Sequence, residues 1–252
     1  MKSVAIVQSN YIPWKGYFDL ISSVDELILY DDLQYTRRDW RNRNRIKTSK
    51  GAEWLTIPVR VKGRYLQKIR DTVVSDQSWS DRHWKTICLH YSRARHFEEV
   101  APILDSLYRE CGKETHLSAI NFRFLQAIAE MLGTETRITW SMDYVIAEGR
   151  TERLVSLCRQ VGAGLYLSGP AAKSYLDEAL FAAAGIQVSW MDYSGYPEYE
   201  QLFCPPFIHE VSVLDLIANV GLERARDCML SFGRQIQTPN PVSTGNGSGN
   251  HG

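Results

Sequence analysis

The order in which short β-branched runs and helical stripes follow one another constrains this chain more than any other feature. Ser3-Val4-Ala5-Ile6-Val7-Gln8 is an apolar run closed by polar turn residues, and Tyr17, Leu20 and Ile21 then fall on one side of a helix. Glu26 to Tyr30 reads as a second strand and Trp54-Leu55-Thr56-Ile57-Pro58-Val59 as a third. Further on, Thr151 caps a helix bearing Leu154, Leu157, Cys158 and Val161, and the strand Leu165-Tyr166-Leu167 follows. A helix from about Lys173 to Ala184 then leads into the strand Ile186-Gln187-Val188-Ser189-Trp190. Parallel neighbours need a crossover between them, so the alternation predicts an α/β fold, a mostly parallel sheet with covering helices.

The middle of the chain is helical. Val100, Ile103, Leu104, Leu107 and Tyr108 trace one buried face, as do Leu117, Ile120, Phe124, Ile128, Met131 and Leu132, with Gly112 and Gly133 just past the two ends. The organisation expected is a single α/β domain over residues 1–237 with a helical insertion at about 80–135. From Thr238 onward the composition is Pro, Ser, Thr, Asn and Gly, which predicts a disordered tail over 238–252.

Charge narrows the partners. Lys and Arg number 29 against 29 Asp and Glu, a balance that argues against nucleic acid as the main partner. Val4 to Val7 is too short for a signal-peptide core and no run is long enough to span a membrane, so a cytoplasmic protein without a transmembrane segment is expected. The five cysteines are scattered with no C-x-x-C pair, and Cys204 beside Pro205-Pro206 and near His209 is the one with chemically suggestive neighbours.

Against that neutral background, Arg37 to Lys47 concentrates guanidinium, amide and indole groups. Arg43, Arg45 and Lys47 suit phosphate or carboxylate, Asn44 adds an amide and Trp40 a stacking surface; a solvated charged face is the competing reading. Ligands of parallel sheets collect at the carboxyl ends of the strands, where further polar groups fall. After the first strand come Gln8, Tyr11, Trp14, Lys15, Gly16 and Tyr17, at a helix start that suits an anion. After the second come Asp31 and Asp32 with Tyr35; the carboxylates suit an amine, a divalent ion, or a pairing with Arg43 or Arg45. Ser168, Gly169, Lys173 and Tyr175 form a third strand-to-helix turn that lacks the P-loop spacing yet offers a hydroxyl, an amide and an amine.

Several of these motifs, in order, resemble the WbqC-like family: Gln8 to Tyr17 with its P-W-x-G-Y core, Asp31-Asp32 with Gln34-Tyr35, Trp40 with Arg43 to Lys47, and Trp54 to Val59. The resemblance continues through Tyr166-Leu167-Ser168-Gly169 with Lys173 and Tyr175, and Ser212 to Leu216 with Asn219 and Gly221. It runs from about residue 4 to 232 and departs at Gln8-Ser9, where the family has Gln-Pro. It implies a role in bacterial surface-polysaccharide (O-antigen) biosynthesis, with glycyl or aminoacyl transfer to an amino sugar or its nucleotide-linked form. The same turn resembles in position the H-x-G-H signature of nucleotidylyltransferases, with both histidines replaced, by Trp14 and Tyr17.

Three readings follow: a transferase, a nucleotidylyltransferase-like or adenylate-forming enzyme, and a non-catalytic sugar-nucleotide or glycan-binding protein. In the first, Asp31, Asp32 and Lys173 carry the chemistry and the other residues named bind an anionic substrate, a nucleotide-linked sugar or an activated amino acid. ATP with a divalent cation is the cofactor considered, with the metal ligands left open. His83, His90 and His209 are the acid/base candidates.

Overall fold

The computed structural model describes residues 1–231; the tail expected at 238–252 lies outside them. Five strands, β1 (Ser3–Val7), β2 (Glu26–Leu29), β5 (Arg137–Trp140), β6 (Leu165–Ser168) and β7 (Gln187–Trp190), form one parallel sheet in the order β5-β2-β1-β6-β7. The α/β expectation is met, and β5 is a strand that the sequence pattern did not reveal.

Alternation along the strands sends side chains into two separate cores. Ala5, Leu27, Leu29 and Leu167 join α1 (Lys15–Ser22), α2 (Trp79–Tyr91), α3 (Phe97–Cys111), α4 (Leu117–Met131) and α7 (Val213–Ala225) on one face. Val4, Ile6, Ile28 and Tyr166 meet α5 (Arg150–Gln160) and α6 (Glu178–Ala183) on the other. Burial on both faces is why the central strands read as continuous apolar runs. None of the helices among the described residues is long and apolar enough to cross a membrane.

The basic run is not a connector between sheet strands. Its second half is β3 (Arg43–Thr48), paired antiparallel with β4 (Gly51–Thr56) in a separate two-stranded sheet. Asn44 and Ile46 alternate inward while Arg43 and Arg45 point outward, a period-two pattern disguised because asparagine and arginine are not typical strand residues. β4 ends before Pro58, which has no N–H to offer a ladder. The predicted helix from Lys173 shortens to α6, because Pro170–Ser174 is a 3₁₀ turn and the Asp177 carboxylate caps a new start by accepting Ala179 N–H at 3.0 Å.

One local fit explains the P-W-x-G-Y turn. Trp14 lies across the start of α1, wedged against Tyr193 and Tyr196 with ring centroids 5.4 and 5.5 Å away, and a Cβ on Gly16 would come within 2.3 Å of its ring. Gly16→Ala therefore sets a helix-propensity gain of up to about 1 kcal/mol against a steric clash of about 1–3 kcal/mol. Urea unfolding is expected to show net destabilisation, and in a Trp14→Ala background the same substitution should become neutral or stabilising.

Candidate functional site

Strand order reverses at β1: the chain moves to β2 and β5 on one side and returns to β6 and β7 on the other. The crevice beyond the carboxyl ends of β1 and β6 is thus a topological switch point, the usual ligand position in such sheets. A cleft of about 650 Å³ opens there, lined by Gln8 and Asn10 after β1, Tyr17 of α1, Tyr30 and Leu33 after β2, Arg41, Gly149, Arg150 and Arg153 at the start of α5, Tyr166, Ser168, Gly169 and Tyr175 around β6, and Tyr193.

Three guanidinium groups face this space, and none of the lining side chains among the described residues is acidic. Arg41 donates to the Asn10 amide oxygen and lies 3.5 Å from the Asp39 carboxylate, which stands outside the lining. The Nε atoms of Arg41 and Arg153 are buried without a protein hydrogen-bond partner among the described residues. Arg150 stacks on Tyr175 at 3.8 Å, which fixes its plane while leaving its N–H edge free. Arg153 hydrogen-bonds Tyr30, whose phenol burial pushes upward against that contact. Gly149, at φ +91°, turns the chain into α5, so the helix N-terminus opens beside the arginines.

A smaller compartment of about 200 Å³ adjoins the cleft, lined by Asn10, Pro13, Trp14, Trp40, Asn44 and Glu210. Asn10 belongs to both spaces, and Tyr193 of the cleft touches Trp14 of the compartment.

Residues 8–227 match the WbqC-like protein family. The chain belongs to the WbqC-like family. It is 55% identical over 223 residues to the uncharacterized protein Rv1507c of Mycobacterium tuberculosis, covering 88% of this chain and 96% of that relative. No solved structure matches it.

In this WbqC-like chain, Gln8, Tyr17, Ser168, Gly169 and Tyr175 come together in the large cleft, and Trp14, Trp40 and Asn44 in the small compartment. The rest of the sequence-nominated set lies elsewhere. Asp31 is fully buried, accepting Ser9 N–H at 2.9 Å and the Ser118 hydroxyl. Burial pushes its carboxyl above the ordinary range, against those hydrogen bonds. Asp32 pairs with Arg70 at 2.7 Å and Lys68 at 3.3 Å, not with Arg43 or Arg45, and accepts Ser141 at 2.8 Å. With their oxygens so occupied, the two carboxylates do not fit a divalent ion, and no cluster of three metal-ligating side chains occurs among the described residues.

Arg41 apart, the cations of the basic run line neither space, although the Nε atoms of Arg43 and Arg45 are also buried without a hydrogen-bond partner among the described residues. Arg43 stacks on Trp54 at 4.0 Å, and Arg45 lies 5.7 Å from Trp40 and 3.7 Å from Glu210. Lys47 is buried, donating to Gln201 at 2.8 Å and to the Pro206 carbonyl. Lys15 is buried among Tyr196, Tyr199 and Phe207 and donates to the Pro197 carbonyl at 3.0 Å; burial lowers its pKa. Lys173 sits 5.6 Å over the Trp190 ring, outside the cleft lining. Tyr11 is buried with its hydroxyl between His83 and Tyr108, and Tyr35 is buried with its N–H on the Gln67 carbonyl. Cys204, His90 and His209 line neither space.

Arg41, Arg150 and Arg153 were not among the nominated site residues. Arg41 belongs to the basic run, two residues before β3 begins. Arg150 and Arg153 follow an irregular stretch after the edge strand β5, and the available signal was a glycine followed by arginines three apart, hence on one helix face.

His83 is a structural group. Burial holds its imidazole down at about 4, opposed by a contact from Nε2 to the Thr56 carbonyl at 3.2 Å. Because this value lies below that of the unfolded chain, the unfolded state binds the proton first as pH falls. The stability tied to the neutral ring is complete above about 6.5 and is lost toward pH 4, on the order of 3 kcal/mol. Urea unfolding across that window should show a clearly shallower pH dependence in His83→Gln than in the wild type; equal slopes would contradict the assignment.

Proposed function

We propose that this protein is a transferase of bacterial surface-polysaccharide biosynthesis that binds a phosphorylated, nucleotide-linked or otherwise activated substrate at the β1–β6 crevice and transfers a glycyl or aminoacyl group to an amino sugar. The observation that carries the reading is the convergence of Arg41, Arg150 and Arg153 on a cleft of about 650 Å³ with no acidic lining residue among those described. Planar guanidinium donors beside a helix N-terminus bind phosphate oxygens well. Tyr17, Tyr30, Tyr166, Tyr175 and Tyr193 supply aromatic wall for a base or ring.

In such a transfer the amine nitrogen bonds to the acyl carbon while the bond from that carbon to the phosphate oxygen breaks. The electron pair goes to the departing phosphate, the amine proton goes to solvent or to that phosphate, and the arginines neutralise the phosphate charge gathered in the cleft, from the donor and from the sugar's own phosphate linkage alike. No carboxylate or imidazole among the described residues lines the cleft to act as base, which is consistent with a donor that arrives already activated.

That same lack favours one second reading, a non-catalytic sugar-nucleotide-binding protein. Nucleotidyl transfer through the P-W-x-G-Y turn has weaker support, since Trp14 is packed between tyrosines and the Tyr17 hydroxyl donates to the Gln8 carbonyl at 3.0 Å.

Purified protein given a nucleotide-linked amino sugar with preformed glycyl adenylate should yield a glycyl mass increment by mass spectrometry. Ligand binding without product from any activated donor would favour the binding-protein reading. Calorimetry with nucleoside diphosphates should show at least about tenfold weaker binding in Arg150→Ala and in Arg153→Ala, each removing charged hydrogen bonds. Arg43→Ala and Arg45→Ala should stay within about twofold of wild type, because neither residue lines the cleft or the adjoining compartment. The opposite ranking would overturn the cleft assignment.

A further inference from the structure

We infer that the small compartment is the subsite for a pyranose ring bearing an amine, joined to the phosphate group that the arginine cleft holds; the inference rests on the phosphate reading of that cleft. At about 200 Å³ the compartment has room for a single monosaccharide, whereas the neighbouring cleft is several times larger. Two indoles frame it. Trp14 is held in place by Tyr193 and Tyr196, and Trp40 leans on Trp54 with ring centroids 5.2 Å apart. The C–H faces of a pyranose suit such apolar surfaces, while its hydroxyls need a few fixed polar groups at the edge.

The polar groups divide by availability. Asn44 is saturated: its amide donates to the Tyr11 and Ile12 carbonyls at 3.1 and 3.0 Å and its oxygen accepts Arg45 N–H at 2.8 Å, so it shapes the floor. Asn10 gives its oxygen to Arg41 and keeps its NH₂ for a ligand. Glu210 is exposed at the rim, with only a long 3.7 Å contact to Arg45, and retains acceptor capacity for a ring ammonium or hydroxyl. Since Asn10 lines both spaces and binds Arg41, a ligand spanning them crosses from ring to phosphate at the Asn10–Arg41 pair. The Glu210 carboxylate at the rim then favours an amine-bearing ring over its hydroxyl counterpart.

Saturation-transfer NMR with methyl glucosaminide and methyl glucoside, alongside calorimetry with inorganic pyrophosphate, separates the two spaces in protein checked by thermal melting. The glucosaminide should contact the wild type, bind about tenfold more weakly to Trp40→Ala and be retained by Arg153→Ala. Pyrophosphate should show the reverse pattern. Glu210→Gln should remove a preference of about threefold for glucosaminide over glucoside. An absent glucosaminide signal in wild type, or an undiminished one in Trp40→Ala, overturns the subsite, and a preference that survives Glu210→Gln overturns the choice of an amine. Pyrophosphate binding that Arg153→Ala leaves intact instead sinks the phosphate reading, and the sugar signals read the compartment independently of it.

Discussion

The site depends on a buried carboxylate that never touches it. Asp31, at the end of β2, accepts the Ser9 N–H of the neighbouring β1 turn and the Ser118 hydroxyl of α4. Asn121, one helical turn on, donates to the Ser9 hydroxyl at 3.0 Å and to the Arg41 carbonyl at 2.9 Å. Two strand ends, a helix and the backbone of a cleft arginine are thereby tied into one network. A buried carboxylate is costly unless its lone pairs are met, and the groups that meet these lone pairs set the positions of Gln8, Asn10 and Arg41. The helical middle of the chain thus acts on the cleft through α4, although none of its side chains lines it.

The basic run illustrates how one charged stretch divides into different physical roles. Arg43 and Arg45 are outward residues of a β-hairpin, laid over tryptophan faces in partial contact with solvent, where cation–π stabilisation is modest. Lys47, further along the same strand, is drawn inside, and its ammonium is satisfied by Gln201 and a carbonyl. Gln201 also donates to the buried Asp215, which accepts Tyr91 and Tyr199 as well, so this cation is part of a core polar network. Arg41, before the strand begins, is the member whose guanidinium reaches the cleft. Chain position relative to the hairpin, more than residue type, decides which cation is available to a ligand.

The sheet was legible because its strands are apolar on both faces and its helices carry clean stripes. β5 was not, since Arg137-Ile138-Thr139-Trp140 is a short edge strand with a polar composition. α2 falls within the expected helical insertion but shows no stripe of its own, because its buried face includes Ser80 and His83, polar residues that blur the helical period. For the site, the turns after β1 and β6 were legible because strand ends are where ligands gather. The arginines of α5 were not, because their approach to β1 depends on the strand order, and a sequence pattern specifies strands without specifying which of them are neighbours.

That dependence on strand order also explains why the nominated carboxylates and the actual cleft differ. Asp31 and Asp32 lie one strand away from the reversal, and both are taken up there, Asp31 by Ser9 and Ser118 and Asp32 by Lys68 and Arg70. The reversal itself lies between β1 and β6, and what reaches it are backbone turns, tyrosines and guanidinium groups. A crevice so lined is rich in donors and poor in bases. Such a lining, among the described residues, suits the stabilisation of charge that a ligand brings or develops, which is the chemistry the proposed function asks of it. Trp14 adds to that rigidity where the cleft meets the smaller compartment: Gly16 beneath it and two tyrosines beside it hold its ring in one pose, so the wall between the two spaces is set before any ligand arrives.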